Sequence, residues 1–317
     1  MKKIAIVGSM NVDYSVYVAH TPKVGETILA DRLSITPGGK GANQAFAVGR
    51  LGGDAVMLGA VGQDSYGSLL LDSLKGADVD VGHVMRSDKR NTGMAVIAVN
   101  DDGDNSIIVI PGTNSLVDKA YIDEMRSVIE QCDIVVMQLE IPMDTVLYTA
   151  KLAKSLGKTV ILDPAPASVD IDKELFRYVD IATPNETELA MLTGDPGASE
   201  HLSQAAAALK ERGVRNVIAT LGDKGAFLST FDGFEKLYPP TPGIRAVDTT
   251  AAGDSFTASV AISLASGLKL PDAIQSAMAV AEIVITRKGA QASIPSKGEL
   301  QQKGLLPLTG NPASCGA

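Results

Sequence analysis

Short apolar runs alternate with segments of helical period through most of this chain, and the runs end in polar or glycine-rich clusters. The run at 56–61 precedes a helical segment at 66–74. Residues 121–130 read as a helix before the strand 133–139, and 144–155 as a helix before the strand 159–162. The strand 179–182 precedes a helix at 202–212 and the strand 216–220. Strands separated by helices pair in parallel, because a helical crossover returns the chain to the same end of the sheet. The expected fold is therefore α/β, a central, mostly parallel sheet flanked by helices. The clusters Asn11/Asp13, Glu140, Asn185/Glu188 and Gly222/Gly225 then fall along one sheet edge, where open α/β sheets bind ligands. Each cluster alone is ordinary turn composition. Their convergence favours one composite site.

The first run, 3–8, reads as a buried strand. It stops at Asn11 and Asp13, too early for the apolar core of a secretory signal. No G-x-G-x-x-G follows it, so a dinucleotide site is not expected. Residues 14–36 then break the alternation of strands and helices. Tyr14-Ser15-Val16-Tyr17-Val18 alternates, and 26–30 and 33–35 read as further short strands, separated from it by Pro22 and Gly25. Strands inserted before the first helix suggest a small β lid. Residues 92–99 and 106–111, joined by the acidic turn Asn100-Asp101-Asp102-Gly103-Asp104, are expected to complete it. Such a lid would exclude water from a site below it. Nearer the C-terminus, 226–229 and 236–238 read as an antiparallel pair. Ile274, Ala277, Met278, Ala281 and Ile285 mark one face of a further helix.

Two stretches carry chemistry. Pro37-Gly38-Gly39-Lys40-Gly41-Ala42-Asn43-Gln44 opens a helix predicted to run to about Leu51. It is not a P-loop, because Gly41 follows Lys40 where Ser or Thr is required. Its glycines still allow close backbone approach, and Lys40 and Asn43 can hydrogen-bond hydroxyls. The second stretch is Val247-Asp248-Thr249-Thr250-Ala251-Ala252-Gly253-Asp254-Ser255-Phe256. Phe256, Val260 and Leu264 recur at helical spacing, so a helix starts near Ala252. Small residues leave the N–H groups of that helix start uncovered, which makes an anion site. Asp254 lies in the same turn. It either caps the helix or accepts the proton of a hydroxyl that meets a phosphoryl group there.

Composition narrows the partners. Lys and Arg number 28 against 37 Asp and Glu, a net charge of −9, so the chain is a poor general binder of nucleic acid or anionic membrane. Two cysteines, Cys132 and Cys315, supply neither a disulfide framework nor zinc spacing, which fits a reducing cytoplasm. Cys315 is third from the end and so misplaced for prenylation. No stretch reaches the roughly 18 apolar residues that span a bilayer. Residues 1–300 are expected to form one domain, with 301–317 as a flexible tail.

With these residues in view, the chain resembles the ribokinase-like family of sugar and nucleoside kinases over residues 3 to 298. Its first signature is similar to Pro37–Gln44 with the Ala-rich helix that follows, and its second to Asp248–Asp254. Pro22…Gly25-Glu26-Thr27 resembles the family's early lid segment. The resemblance implies a β lid over the sugar, a homodimer formed through that lid, and transfer of the ATP γ-phosphoryl group to a sugar hydroxyl. The 5-hydroxyl of D-ribose is the expected acceptor, with deoxyribose, fructose or a nucleoside as alternatives. A non-catalytic sugar-binding protein is the reading from another class.

Position by position, Asp254 resembles the catalytic base, and Ala251, Ala252 and Gly253 the anion hole. Asn11, Asp13, Gly39, Lys40, Asn43 and Glu140, with Asp254, resemble the sugar-binding set. Asn185, Thr220, Gly222, Lys224 and Gly225, with Gly253, resemble the nucleotide site, and Glu188 the residue that organises hydrated Mg²⁺. Asp248, Thr250, Val284, Arg287, Gly289 and Ser293 match positions that hold K⁺, mostly through backbone carbonyls. Many family members carry Gly where Ala251 or Ala252 stands. Alanine presents its N–H equally, so little consequence is expected.

Overall fold

The computed structural model describes residues 2–101, 104–168 and 170–305. Asp102 and Gly103 of the acidic turn, Cys315, and residues 306–317 of the expected tail lie outside the described residues. In chain order the first half contains β1 (Lys3–Val7), β2 (Asn11–Tyr17), β3 (Arg32–Gly38), α1 (Lys40–Arg50), β4 (Asp54–Leu58), β5 (Ala60–Gly62), α2 (Ser65–Gly76), β6 (Val79–Asp80), β7 (Met85–Ser87), β8 (Gly93–Val99) and β9 (Asn105–Ile110). The second half contains α3 (Lys119–Glu124), α4 (Arg126–Glu130), β10 (Ile134–Met137), α5 (Met143–Ser155), β11 (Thr159–Leu162), β12 (Ile181–Ala182), α6 (Glu186–Thr193), α7 (Leu202–Glu211) and β13 (Asn216–Thr220). It closes with β14 (Ala226–Ser229), β15 (Glu235–Tyr238), α8 (Ala252–Ala265), α9 (Leu270–Ile285) and α10 (Lys297–Gln302).

A nine-stranded sheet in the order β15-β14-β13-β12-β11-β10-β1-β4-β6 forms the centre. It is parallel from β13 to β6, and antiparallel only at β13–β14 and β14–β15. Its interior strands are apolar on both faces because both faces are covered, whereas the edge strand β15 exposes Glu235, Lys236 and Leu237. Alternation sorts the interior strand residues into two cores. Ile4, Ile6, Ile134, Val136 and Ile161 join the buried residues of α1, α8 and α9. Ala5, Val7, Val135, Met137 and Val160 join those of α5, α7 and the segment around Phe176.

The lid is a separate four-stranded sheet, β3-β2-β8-β9. It is larger than the sequence suggests. β2 begins at Asn11, so Asn11 and Asp13 are the first lid residues rather than a turn after β1. Pro37 and Gly38, read as the opening of the first helix, instead close β3. β3 is an edge strand, where proline's missing N–H is tolerated.

Residues 26–30 form no strand. The Glu26 carboxylate accepts from Lys23 N at 2.9 Å and meets His20 Nε2 at 2.9 Å, which folds the segment into a turn. The run 56–61 is two strands broken at Gly59, whose α-carbon passes β1 so closely that an added Cβ would lie 2.7 Å from the Gly8 carbonyl oxygen. The helix expected over 121–130 is two short helices meeting at Met125. Among the described residues, no helix is long and apolar enough to cross a membrane.

Candidate active site

Strand register brings the site residues together. Val7 pairs with Met137 and Met137 with Leu162, so the next residues, Gly8, Gln138 and Asp163, emerge side by side at the carboxyl edge of the sheet. The first turn of α1 lies across this edge. Ala42 N donates to Ser9 O at 2.8 Å, and a Cβ on Gly41 would sit 2.6 Å from Ser9 N. Only glycine permits that approach. Gly39, at φ 87, makes the turn from β3 into the helix. Lys40, Asn43 and Gln44 then share one side of α1, at helical spacings of three and four.

Asp254 comes from the other direction, in the first turn of α8. It does not cap its own helix. Asn43 Nδ2 donates to its Oδ2 at 2.9 Å and Gln44 Nε2 to its Oδ1 at 3.2 Å. The same Gln44 nitrogen donates to Asp163 Oδ2 at 2.8 Å, and Gln138 Nε2 donates to Gln44 Oε1 at 2.6 Å. Gln291 Nε2 donates to Asn43 Oδ1 at 3.3 Å. On the lid side, Glu140 accepts from Ser9 Oγ and from Lys40 N. A contact between Thr183 Oγ1 and Thr257 Oγ1, 2.9 Å, fixes the start of α8 over the end of β12.

The site concentrates carboxyl groups around one ammonium. Burial pushes the Asp254 carboxyl up; the Lys40 charge and the Asn43 hydrogen bond oppose it. Burial, with the neighbouring carboxylates, raises Asp163 to about 8 against the pull of Lys40. Asp13 is raised to about 7 by burial and by the charges of Glu140 and Asp254. Burial opposes the charge on Lys40, but Asp163, Asp254, Glu140 and Glu188 outweigh it and hold the ammonium above its usual pKa.

These shifts link stability to pH. A carboxyl whose folded pKa exceeds its unfolded value favours folding fully below the unfolded pKa, and that contribution is lost as pH rises through the folded pKa. For Asp13 the window runs from 3.8 to about 7. Asp13→Asn should therefore raise the thermal midpoint of the free protein at pH 8 and change it little at pH 4. Equal effects at both pH values, by calorimetry, would remove this account.

The first turn of α8 has no side-chain cap. Among the described residues, the N–H groups of Ala251 and Gly253 find no acceptor, whereas that of Ala252 donates to Thr249 O at 3.2 Å. Two of the three expected anion-hole donors are thus uncommitted. Ala251 adopts φ 60, a left-handed conformation that costs a residue with a Cβ about 1 kcal/mol. Alanine here is therefore not equivalent to glycine, contrary to the sequence expectation. Gly253 is not required by packing: an added Cβ would meet nothing within 4 Å.

Further along the edge, Asn185 and Glu188 form a reciprocal capping box on α6, a helix the sequence reading missed. Glu188 N donates to Asn185 Oδ1 at 2.8 Å and Asn185 N to Glu188 Oε2 at 2.9 Å. Burial raises the Glu188 carboxyl, and its second oxygen has no acceptor role in the cap. Thr220 N donates to Pro184 O at 3.0 Å, which places Thr220 beside Asn185. Gly222 at φ 53 and Gly225 at φ 95 shape the following turn. Lys224 points to solvent and pairs with Glu186 at 3.2 Å.

The sequence pattern of the pfkB family of carbohydrate kinases matches residues 1–297. The chain belongs to this family. This kinase is 37% identical to the ribokinase of Haemophilus influenzae over 94% of its own length and 97% of the relative's. It is 36% identical to a deoxyribokinase of Salmonella typhi, over 92% and 95%. An Arabidopsis thaliana ribokinase solved with ribose and ATP superposes with a TM-score of 0.88 at 35% identity, covering 95% of this chain and 98% of that one.

The residues expected to hold K⁺ are partly brought together. Asp248 Oδ1 accepts from Thr250 N at 2.9 Å and Thr250 Oγ1 at 2.6 Å, and its Oδ2 from Gly289 N at 2.8 Å. Val247 N donates to Ile285 O at 2.7 Å, so this loop is tied to the end of α9, next to Val284. The Arg287 guanidinium turns to Glu299 and, at 3.4 Å, to the Ser293 carbonyl, so Arg287 can offer a cation only its backbone oxygen. Asp248 brings one carboxylate to this loop, and both of its oxygens already accept hydrogen bonds. Among the described residues, no three His, Cys, Asp or Glu side chains converge on a metal position. A Mg²⁺ at Glu188 would thus keep most of its water.

Sequence reasoning missed Gln44, Asp163, Gln138 and Asn114. Asp163 and Gln138 follow apolar strands at the same edge as the recognised clusters, a signal that strand-end position alone could have supplied.

Proposed function

We propose that this carbohydrate kinase transfers the γ-phosphoryl group of ATP to the 5-hydroxyl of D-ribose. One observation carries the reading: a buried carboxylate, Asp254, stands in the first turn of an uncapped helix, held by Asn43 and Gln44 rather than by its own N–H groups. Asp254 accepts the hydroxyl proton while the helix start receives the phosphoryl oxygens. Lys40 and the helix N-terminus offset the charge that develops. Mg²⁺ near Glu188 would neutralise phosphate charge, and K⁺ near Asp248 would organise the loop before α8. Thr220, Gly222, Lys224 and Gly225, with Asn185, would bind the nucleotide.

The sugar set is Asn11, Asp13, Gly39, Lys40, Asn43 and Glu140. Asn11 and Asp13 lie two apart on β2 and so face the same way. The ribokinase relatives and the ribose-bound Arabidopsis structure support ribose, and the deoxyribokinase relative supports a deoxy sugar. Asp13 favours ribose, because a missing ring hydroxyl would leave a half-buried acceptor unpaired inside a closed site, at up to about 1–3 kcal/mol. The test is ADP release with ribose, 2-deoxyribose, fructose and adenosine, each with and without K⁺. Preference for ribose supports the reading; preference for another sugar moves the acceptor and keeps the chemistry.

The anion hole has its own test. Gly253→Ala should keep or slightly raise stability, by about 0.5–1 kcal/mol, while the methyl crowds the phosphoryl position and lowers kcat. Full kcat in this variant would place the phosphoryl group elsewhere.

We also propose a homodimer through the lid. Ile107, Ile108, Val109 and Ile110 of β9, with Leu33 and Ile35 of β3, are exposed apolar residues on edge strands. Sedimentation should give a dimer, and Ile108→Glu a monomer. A monomeric parent protein would overturn this.

A further inference from the structure

Asn114 lies outside the sugar set but controls one member of it. It sits in the short turn Gly112–Leu116 that follows the last lid strand, 1% exposed. Thr113 Oγ1 donates to Ala60 O at 3.1 Å and Thr113 N to Asn91 O at 2.9 Å, so the turn is pinned to the base of the lid. The Asn114 side chain closes on the β1–β2 connection. Met10 N donates to its Oδ1 at 2.9 Å. Its Nδ2 donates to Met10 O at 3.2 Å and to Asn11 Oδ1 at 2.7 Å. Asn11 pairs with Gly93 across the lid sheet, and a Cβ on Gly93 would collide with both asparagine side chains.

These contacts fix both amide orientations. A backbone N–H can only donate, so the Asn114 atom facing Met10 N is oxygen. Its other atom is then the amino group, and the Asn11 atom it meets must be an acceptor. Asn11 therefore turns its own amino group outward. Asn11 is 2% exposed as a whole residue; its amino group has no acceptor among the described residues and is not one of the fully buried unpaired atoms, so it keeps some contact with solvent. That open donor is free to meet water or a ligand acceptor, and a sugar hydroxyl oxygen is such an acceptor.

We infer that Asn114 is a positioning residue that holds Asn11 as a hydrogen-bond donor to the sugar, beside Asp13 as the acceptor. The inference rests on the proposed sugar site. Asp13 accepts a hydrogen bond from one hydroxyl, while Asn11 donates its N–H to a hydroxyl oxygen, so the pair reads hydroxyls by complementary polarity.

Asn114→Asp tests this with almost no change in shape. The new oxygen faces Met10 O and Asn11 Oδ1, and Asn11 relieves the repulsion by turning its amide over. The donor is then lost to the sugar. KM for the preferred sugar should rise about 10- to 100-fold, while kcat and KM for ATP stay within about threefold. An unchanged sugar KM overturns the inference. So does a joint loss of kcat, ATP affinity and thermal midpoint, the mark of a merely structural residue. If Asn114→Asp does not fold, Asn11→Asp decides. It keeps the acceptor toward Asn114 and replaces only the outward donor, so a selective rise in sugar KM supports the inference and no rise overturns it. Asn11→Ala separates the two readings. An unchanged sugar KM there sinks the sugar site itself, whereas a raised KM beside an unaffected Asn114→Asp sinks only the role of Asn114.

Discussion

Asp254→Asn should lower kcat by about 10²- to 10⁴-fold, the range of a positioned general base, and leave KM for the sugar nearly unchanged. The amide has almost the same shape and stays among the same neighbours, but it cannot take a proton. One of its two ends must now face a donor, Asn43 Nδ2 or Gln44 Nε2, which costs a hydrogen bond. Against that, a neutral amide carries none of the desolvation that raises the Asp254 carboxyl. The folded variant should therefore bind the sugar, measured by calorimetric titration, and fail to turn it over. Retained turnover would show that another group accepts the proton, and Asp163, linked through Gln44, would be the first to test.

Lys40→Met should be as damaging and should also move the pH profile. Lys40 is the cation to which Asp163, Asp254 and Glu188 respond, and its charge lowers each of their pKa values. Without it those carboxyls hold their protons to higher pH. The base is then ionised only at higher pH, so the acidic limb of kcat/KM should shift upward. At its plateau, kcat/KM should still fall about 10²- to 10³-fold, because a charged stabiliser of the developing phosphoryl charge is gone. Lys40→Arg restores the charge but not the shape, so it should return the limb toward its original position without full activity. An unshifted limb in Lys40→Met would mean that Lys40 does not set the ionisation of the base.

Much of the fold could be read from local pattern. The strands at 159–162 and 216–220 appear with the predicted bounds, because a short apolar run between helices has one stable use, as an interior strand of a parallel sheet. The start of α8 was equally plain, from small residues before an apolar helical period. The failures have physical causes. Residues 26–30 have strand-like composition but no neighbour to pair with. At Asn185 and Glu188 the sequence drew attention to ligand chemistry, while the same spacing builds a capping box, and both uses draw on the same two side chains.

The centre of the site was only partly legible. Asn43 and Asp254 were identified separately, each from its own glycine-rich stretch. That they touch, across 211 positions of sequence, is a product of folding. Gln138 and Asp163 carried only the weak signal of a strand-end position and Gln44 only its place in the glycine-rich stretch, and their bonds join residues 94 and 119 apart.

The sequence by itself therefore determined the layered α/β architecture, the lid's existence, and most of the side chains offered for chemistry. These follow from period and composition, which act over a few neighbouring residues. Only the tertiary structure decided that Asp254 faces α1 instead of capping its helix, that one lysine serves the clustered carboxyls, and that Asn114 fixes the polarity of Asn11. Those outcomes depend on strand register and on close backbone approach at Gly41 and Gly93, which no local stretch of sequence contains.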